Sequence, residues 1–149
     1  MLPNAKGSEQ LAVLASIDPA SQAAGTSNSD WVSCAQFHSL LAFIQTGTMG
    51  TNGTLAAKLQ QATDASGAGA KDVAGKAITT LEQANNGSNR QVLINVRGEE
   101  LDTVNGYGFV RLAITTATAA SQVAAQIIGV DPRNLPANVS NIASVAQVV

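Results

Sequence analysis

The segment QVLINVR, residues 91–97, sets Val92, Ile94 and Val96 on one side of an extended chain and Gln91, Leu93, Asn95 and Arg97 on the other. FVRLAIT, residues 109–115, repeats the device, with Val110, Leu112 and Ile114 against Phe109, Arg111 and Ala113. Successive side chains of a strand point to opposite faces, so a two-residue apolar period covers one face and leaves the other to water. Val and Ile also fit a pleated surface better than a helix, where their branched Cβ crowds the preceding turn. A chain written this way has to build sheets with one face on a shared core.

The remaining segments are read by the same rule. LAVLASI, residues 11–17, is expected to be a strand ended by Asp18-Pro19, with residues 20–30 a polar loop. WVSCAQF begins a second strand, with Trp31, Ser33, Ala35 and Phe37 on one face and Val32, Cys34, Gln36 and His38 on the other. LLAFIQTG, residues 40–47, is apolar on both faces, as suits a strand in the middle of a sheet. GTMGTNG then places three glycines in seven residues, which breaks any regular element. It is read as a hairpin loop that pairs this strand with TLAAKLQQATD, where Leu55, Ala57 and Leu59 share a face. Residues 65–76 are expected to be a flexible loop, residues 77–84 a weak strand, and Asn86-Gly87 the centre of a turn.

ASQVAAQIIGV, residues 120–130, fits two patterns: Val123, Ala124, Ile127 and Ile128 line a helix, whereas Val123, Ala125 and Ile127 line a strand. Gly129 and Asp131-Pro132 bound it closely, which favours the strand. The sum is seven or eight short strands about a dozen residues apart with no strand–helix–strand alternation. The expected fold is all-β: an antiparallel β-sandwich or jelly-roll-like barrel. Its organisation is an N-terminal arm over residues 1–10, a sandwich over 11–132 and a C-terminal arm over 133–149. In that last arm Pro132 and Pro136 favour an extended path, while Val139, Ile142, Val145, Val148 and Val149 allow a short amphipathic helix capped at Asn138.

Composition decides which functions remain. Charged residues make up 12% of the 149, roughly half the usual share, and the net charge is −2. Eight scattered Lys and Arg offer no basic cluster, so neither nucleic acid nor an anionic membrane is an expected partner. No secretion signal and no membrane-length apolar run is seen, and the one cysteine suits a reducing cytoplasm. With 45% apolar residues and little self-repulsion the chain collapses readily, and a surface of Ser, Thr, Asn, Gln, Gly and Ala tolerates close neighbours.

Chemistry is scarce. His38 is the one histidine, so a histidine metal cluster cannot be made within a chain, and it is read as a sheet-face residue. Cys34 has no basic neighbour and is expected buried and inert. Glu99, Glu100 and Asp102 form the one acidic cluster, read as a solvated turn before general acid/base or calcium chemistry, with an intersubunit salt bridge to Arg97 or Arg133 as a third possibility. AKDVAGKA, residues 70–77, has alanine at two places where a phosphate loop needs Gly and Ser/Thr. Asn52, Asn86 and Asn138 head formal glycosylation sequons that arise equally from turn preference. Trp31 is read first as a lone core aromatic and second, with Tyr107, as a sugar-stacking or interface residue. No catalytic residue, metal or cofactor is expected.

LLAFIQTGTMGTNGTLAAKLQQATDASG, QVLINVRGEELD and GYGFVRLAITT together resemble the small β-sandwich decoration or cement proteins of tailed bacteriophage capsids, over about residues 31–132. The resemblance implies a structural protein, made in the host cytoplasm, that binds the outside of the head as a homotrimer or homodimer and bridges major capsid protein subunits. It carries no catalytic signature. Cementing needs a rigid domain and arms that reach neighbours, since many weak contacts add through repetition. The residues expected at such an interface are Trp31, Leu135, Val139, Ile142, Val145 and Val148. Another virion component, or a small carbohydrate-binding module, is the alternative.

Overall fold

The computed structural model describes residues 2–149. After a four-residue helix, α1 (Gly7–Gln10), come ten strands: β1 (Leu11–Gln22), β2 (Gly25–Asn28), β3 (Val32–Ser33), β4 (Phe37–Met49), β5 (Thr54–Ala62), β6 (Lys71–Ala77), β7 (Leu81–Glu82), β8 (Gln91–Arg97), β9 (Phe109–Ala117) and β10 (Ser121–Pro132). Short 3-10 turns occupy Gln83–Asn85, Gly98–Glu100, Thr103–Asn105 and Ala137–Ser140. One sheet has the order β1-β10-β4-β8 and the other β2-β9-β5-β6, with β3 added beside β9 and β7 beside β5.

Every pairing is antiparallel, and the pairs nest: β1 with β10, β2 with β9, β4 with β8, β5 with β6. A long antiparallel ribbon, closed at β5–β6, has been wrapped so that its two halves face each other. That nesting is the jelly roll, and the all-β expectation holds. The alternating residues of the sequence supply the filling. Leu40, Ile44, Leu55, Leu59, Val96, Val110, Leu112, Ile114 and Ile127 are all essentially inaccessible to water. Each such side chain contributes roughly 1.5–3 kcal/mol of burial.

Several local expectations change. The Gly-rich reversal after β4 is no hairpin: β4 bonds β10 and β8 in one sheet, and β5 bonds β9, β6 and β7 in the other. The turn instead crosses the sandwich and packs on the β9–β10 connection, where Gly50 N–H donates to Ala120 O at 2.9 Å. β1 does not stop at Asp18-Pro19 but runs on to Gln22, because a register shift between Ile17 and Ala20 absorbs the proline on an edge strand. The polar stretch 20–30 holds the end of β1 and all of β2, since Thr and Ser pair as well as apolar residues when a partner strand is waiting.

Residues 31–37 are not one strand. Val32 and Ser33 pair with β9, the chain then bends, and Phe37 opens β4. Val32, Cys34 and Phe37 are all buried as a result, a set that a single alternating strand would split between faces. The supposed loop at 65–76 contains most of β6, and the weak strand at 77–84 shrinks to Leu81–Glu82. AKDVAGKA therefore lies along a strand. At the C-terminus Asn138 sits inside a 3-10 turn that starts after Pro136, and does not cap a helix.

Candidate interaction surface

The connections gather at two ends of the sandwich. One end joins the Gly50–Gly53 turn, the residues between β7 and β8, and the β9–β10 turn. The other collects the segments 29–36, 63–70 and 98–108, together with both terminal segments. Most of the reactive side chains lie at this second end.

They are engaged with one another. Trp31 is half-buried, with the Arg111 guanidinium 4.6 Å from its ring centroid. Gly67 lies so close beneath the indole that a Cβ there would fall 2.5 Å from Nε1. Farther along the same loop, Tyr107 donates its hydroxyl hydrogen bond to Gly69 O at 2.9 Å, and Lys71 Nζ lies 4.2 Å from the Tyr107 ring. Lys71 in turn meets Asp102 at 2.5 Å, and Asn105 donates to the same carboxylate. One chain of contacts thus ties the three connections together.

The acidic cluster is consumed by cations within the chain. Arg97 Nη1 is 2.9 Å from Glu99, and Lys76 Nζ is 2.8 Å from Glu100. The Lys76 ammonium, followed by the Arg97 backbone N–H, holds the Glu100 carboxyl below its ordinary range. Lys71 and then Asn105 do the same for Asp102. A carboxylate held ionised this way is a poor general acid. Burial pushes the Cys34 thiol up to about 11, so little thiolate forms at neutral pH. His38 is exposed at the start of β4. An open cleft of about 700 Å³ at this end is lined by Cys34, His38, Arg97, Leu101, Tyr107 and Arg133 among others. Among the described residues no three His, Cys, Asp or Glu are grouped to hold a metal ion.

The residues expected at an interface divide into three sets. Trp31 belongs to the cluster just described, beside the second sheet. Ile142 and Val145 are half-buried, because the tail folds back on β1: Ile142 N–H donates to Val13 O at 2.9 Å, and Val13 N–H donates to Asn141 Oδ1 at 2.8 Å. Leu135, Val139 and Val148 face solvent, at 45%, 79% and 47% exposure. Three exposed apolar residues were not foreseen, and one of them, Val104, lies in the 3-10 turn Thr103–Asn105. Leu2, 56% exposed, shares a cleft with Leu135 and Pro136 where the terminal segments meet. Leu93, 54% exposed, stands on the outer face of the first sheet opposite Phe43. The signal for Leu93 was present, since it is the one apolar residue on the polar face of QVLINVR, between Gln91 and Asn95.

No family model matches the chain, and no curated protein matches it. Among solved structures it overlaps a chain of broad bean stain virus with TM-score 0.42 and 8% identity, over 72% of this chain and 60% of that one. A chain of desmodium yellow mottle tymovirus gives 0.43 and 15%, over 90% and 95%. A chain of the naturally occurring empty particles of cowpea mosaic virus gives 0.39 and 10%, over 74% and 60%. The jelly-roll assignment rests on this chain's own strand pairings.

Proposed function

We propose that this chain is a non-enzymatic structural protein of a virion, a decoration or cement protein that sits on the outside of a tailed-phage head and bridges major capsid protein subunits. The observation that carries the reading is a sandwich bearing exposed apolar residues, Leu135, Val139 and Val148, on a segment fastened to β1 at its middle, through Asn141 and Ile142. Apolar side chains held out from a domain of low charge mark a surface that another protein covers. Jelly rolls serve capsids, lectins and metal-binding cupins alike, so fold alone does not choose among these. The sequence resemblance to decoration proteins and the sparsely charged surface favour the first.

A carbohydrate-binding role fits less well. Arg111 lies over Trp31 and Lys71 over Tyr107, so neither ring offers a clear stacking platform. The test uses particles purified from cells that produce this chain. The protein co-sediments with the shell, and gold-labelled antibody decorates its outside. A triple variant, Leu135→Ser, Val139→Ser and Val148→Ser, keeps the circular-dichroism spectrum but loses occupancy by about tenfold or more, equivalent to ~1.4 kcal/mol. Protein found apart from particles, or full occupancy by the triple variant, rejects the proposal.

A further inference from the structure

The two sheets have four edges, formed by β1, by β2 and the two-residue β3, by β6 and the two-residue β7, and by β8, and all but the last are guarded. β1 has its Val13 N–H and C=O taken by Asn141 and Ile142, and carries Asp18, Pro19 and two register shifts. β2 is four residues long. β6 carries Lys71, Asp72 and Lys76, with Gly75 at φ +72 bending it. Charges, proline, bulges and shortness are the devices that keep edge strands from pairing with other chains. β8 has none of them between Gln91 and Asn95.

The geometry of β8 says which groups are free. Arg90 N–H donates to Thr46 Oγ1 and Arg90 O accepts from Thr46 N–H, both toward β4. N–H and C=O of one residue point the same way in an antiparallel strand, and the next residue points the other way. Val92, Ile94 and Val96 therefore bond β4, while Gln91, Leu93 and Asn95 aim both groups at the open edge. The open stretch has defined limits. Arg97 N–H is closed by Glu100 Oε2 at 2.7 Å, and Asn89 N–H by Gly47 O at 3.0 Å. Its midpoint is Leu93.

We infer that the β8 edge is a self-pairing site, at which two copies join antiparallel about a two-fold axis with Leu93 opposite Leu93 and Gln91 opposite Asn95. Each copy brings three donors and three acceptors, so every open group finds a partner and six bonds form. A segment with its free groups symmetric about one residue is self-complementary, which is what an isologous contact requires. The pairing also sets the two exposed Leu93 side chains together on the outer face, each beside its own Phe43, making one apolar row across a continuous sheet. This contact stands whether or not the protein binds a particle.

The full chain is tested by sedimentation equilibrium and by cross-linking. The wild type is a dimer. Asn95→Pro removes an N–H that faces away from β4, so the sheet and the circular-dichroism spectrum survive while the dimer weakens by tenfold or more. Leu93→Lys opposes two like charges at the axis and acts in the same direction. In a Cys34→Ala background, Leu93→Cys oxidises to a covalent dimer, because directly opposed residues of a bonded pair stand about 5.5 Å apart, within disulfide reach. Gln91→Cys in that background does not, since its counterpart is Asn95. A monomeric wild type, a dimer indifferent to Asn95→Pro, or equal cross-linking at both positions overturns the inference.

Discussion

The two ends of the sandwich are held by different forces. At the end formed by the Gly50–Gly53 turn, the residues 83–90 and the β9–β10 turn, backbone meets backbone. Gln83 N–H donates to Gly53 O, Gly87 N–H to Glu82 O and Asn89 N–H to Gly47 O, all between 2.8 and 3.0 Å. The buried Thr46 hydroxyl donates to Gly87 O and accepts from Arg90 N–H. Asn52, Asn86 and Asn89 take left-handed backbone there, a conformation asparagine tolerates better than most residues. At the opposite end side chains add to backbone bonds such as Cys34 N–H to Gly108 O at 3.0 Å, through Trp31, Arg111, Tyr107, Lys71 and Asp102. Backbone packing is indifferent to pH and salt but intolerant of added atoms. Exposed ion pairs tolerate substitution but answer to pH and salt. The jelly roll thus has one end set by space and one by charge.

The strongest way to break this contrast is Gly87→Ala. A Cβ there would fall 2.7 to 2.9 Å from the backbone of Glu82, which cannot move without disturbing β7. Overpacking of this kind costs about 3 kcal/mol, read from the urea midpoint. Gly106, at the opposite end with φ +81 and open space around it, serves as the contrast: alanine there strains only the backbone and costs about 1 kcal/mol. Equal losses at the two sites would erase the distinction.

Next comes Thr46→Val, which keeps shape but removes the hydroxyl that joins β4 to Gly87 and Arg90. A buried acceptor and donor then lose their partner, and stability falls by about 2 kcal/mol in the same urea experiment. A neutral result would show that the end is held without the Thr46 bridge.

Acid titration gives the smallest effect and probes the charged end alone. Asp102 and Glu100 have folded pKa values below their ordinary 3.8 and 4.5. The stability they add is present above those ordinary values and is lost as pH falls through the folded ones. Trp31, the one tryptophan, sits in the connected cluster and reports on it. Its fluorescence changes below pH 3.8, the ordinary Asp102 value, while the far-ultraviolet circular dichroism holds, and Asp102→Asn diminishes the change. A fluorescence change that coincides with global unfolding would mean the charged end has no separate response.

The period-two alternation was enough to name the core. Ile94 and Val96, Val110, Leu112 and Ile114, and Val123, Ala125 and Ile127 are all buried as their spacing required. It was also enough for the class of fold, because residues that alternate can be satisfied by sheets alone. The terminal apolar residues were legible as a set but not individually. Ile142 and Val145 turn toward β1 while Leu135, Val139 and Val148 stay outside, a choice made by where Asn141 meets Val13.

Partnership between strands lay beyond the sequence. A run of Gly and Thr such as GTMGTNG looks alike locally whether its flanking strands pair or part, and here they part into opposite sheets. β6 and β2 escaped notice for a related reason, since polar strands acquire their structure from the neighbours they bond. Alternation is a property of one segment, fixed by the pleat of the backbone. Pairing is a property of two segments far apart in the chain, fixed by which ladders close when the whole ribbon is wrapped around a common core.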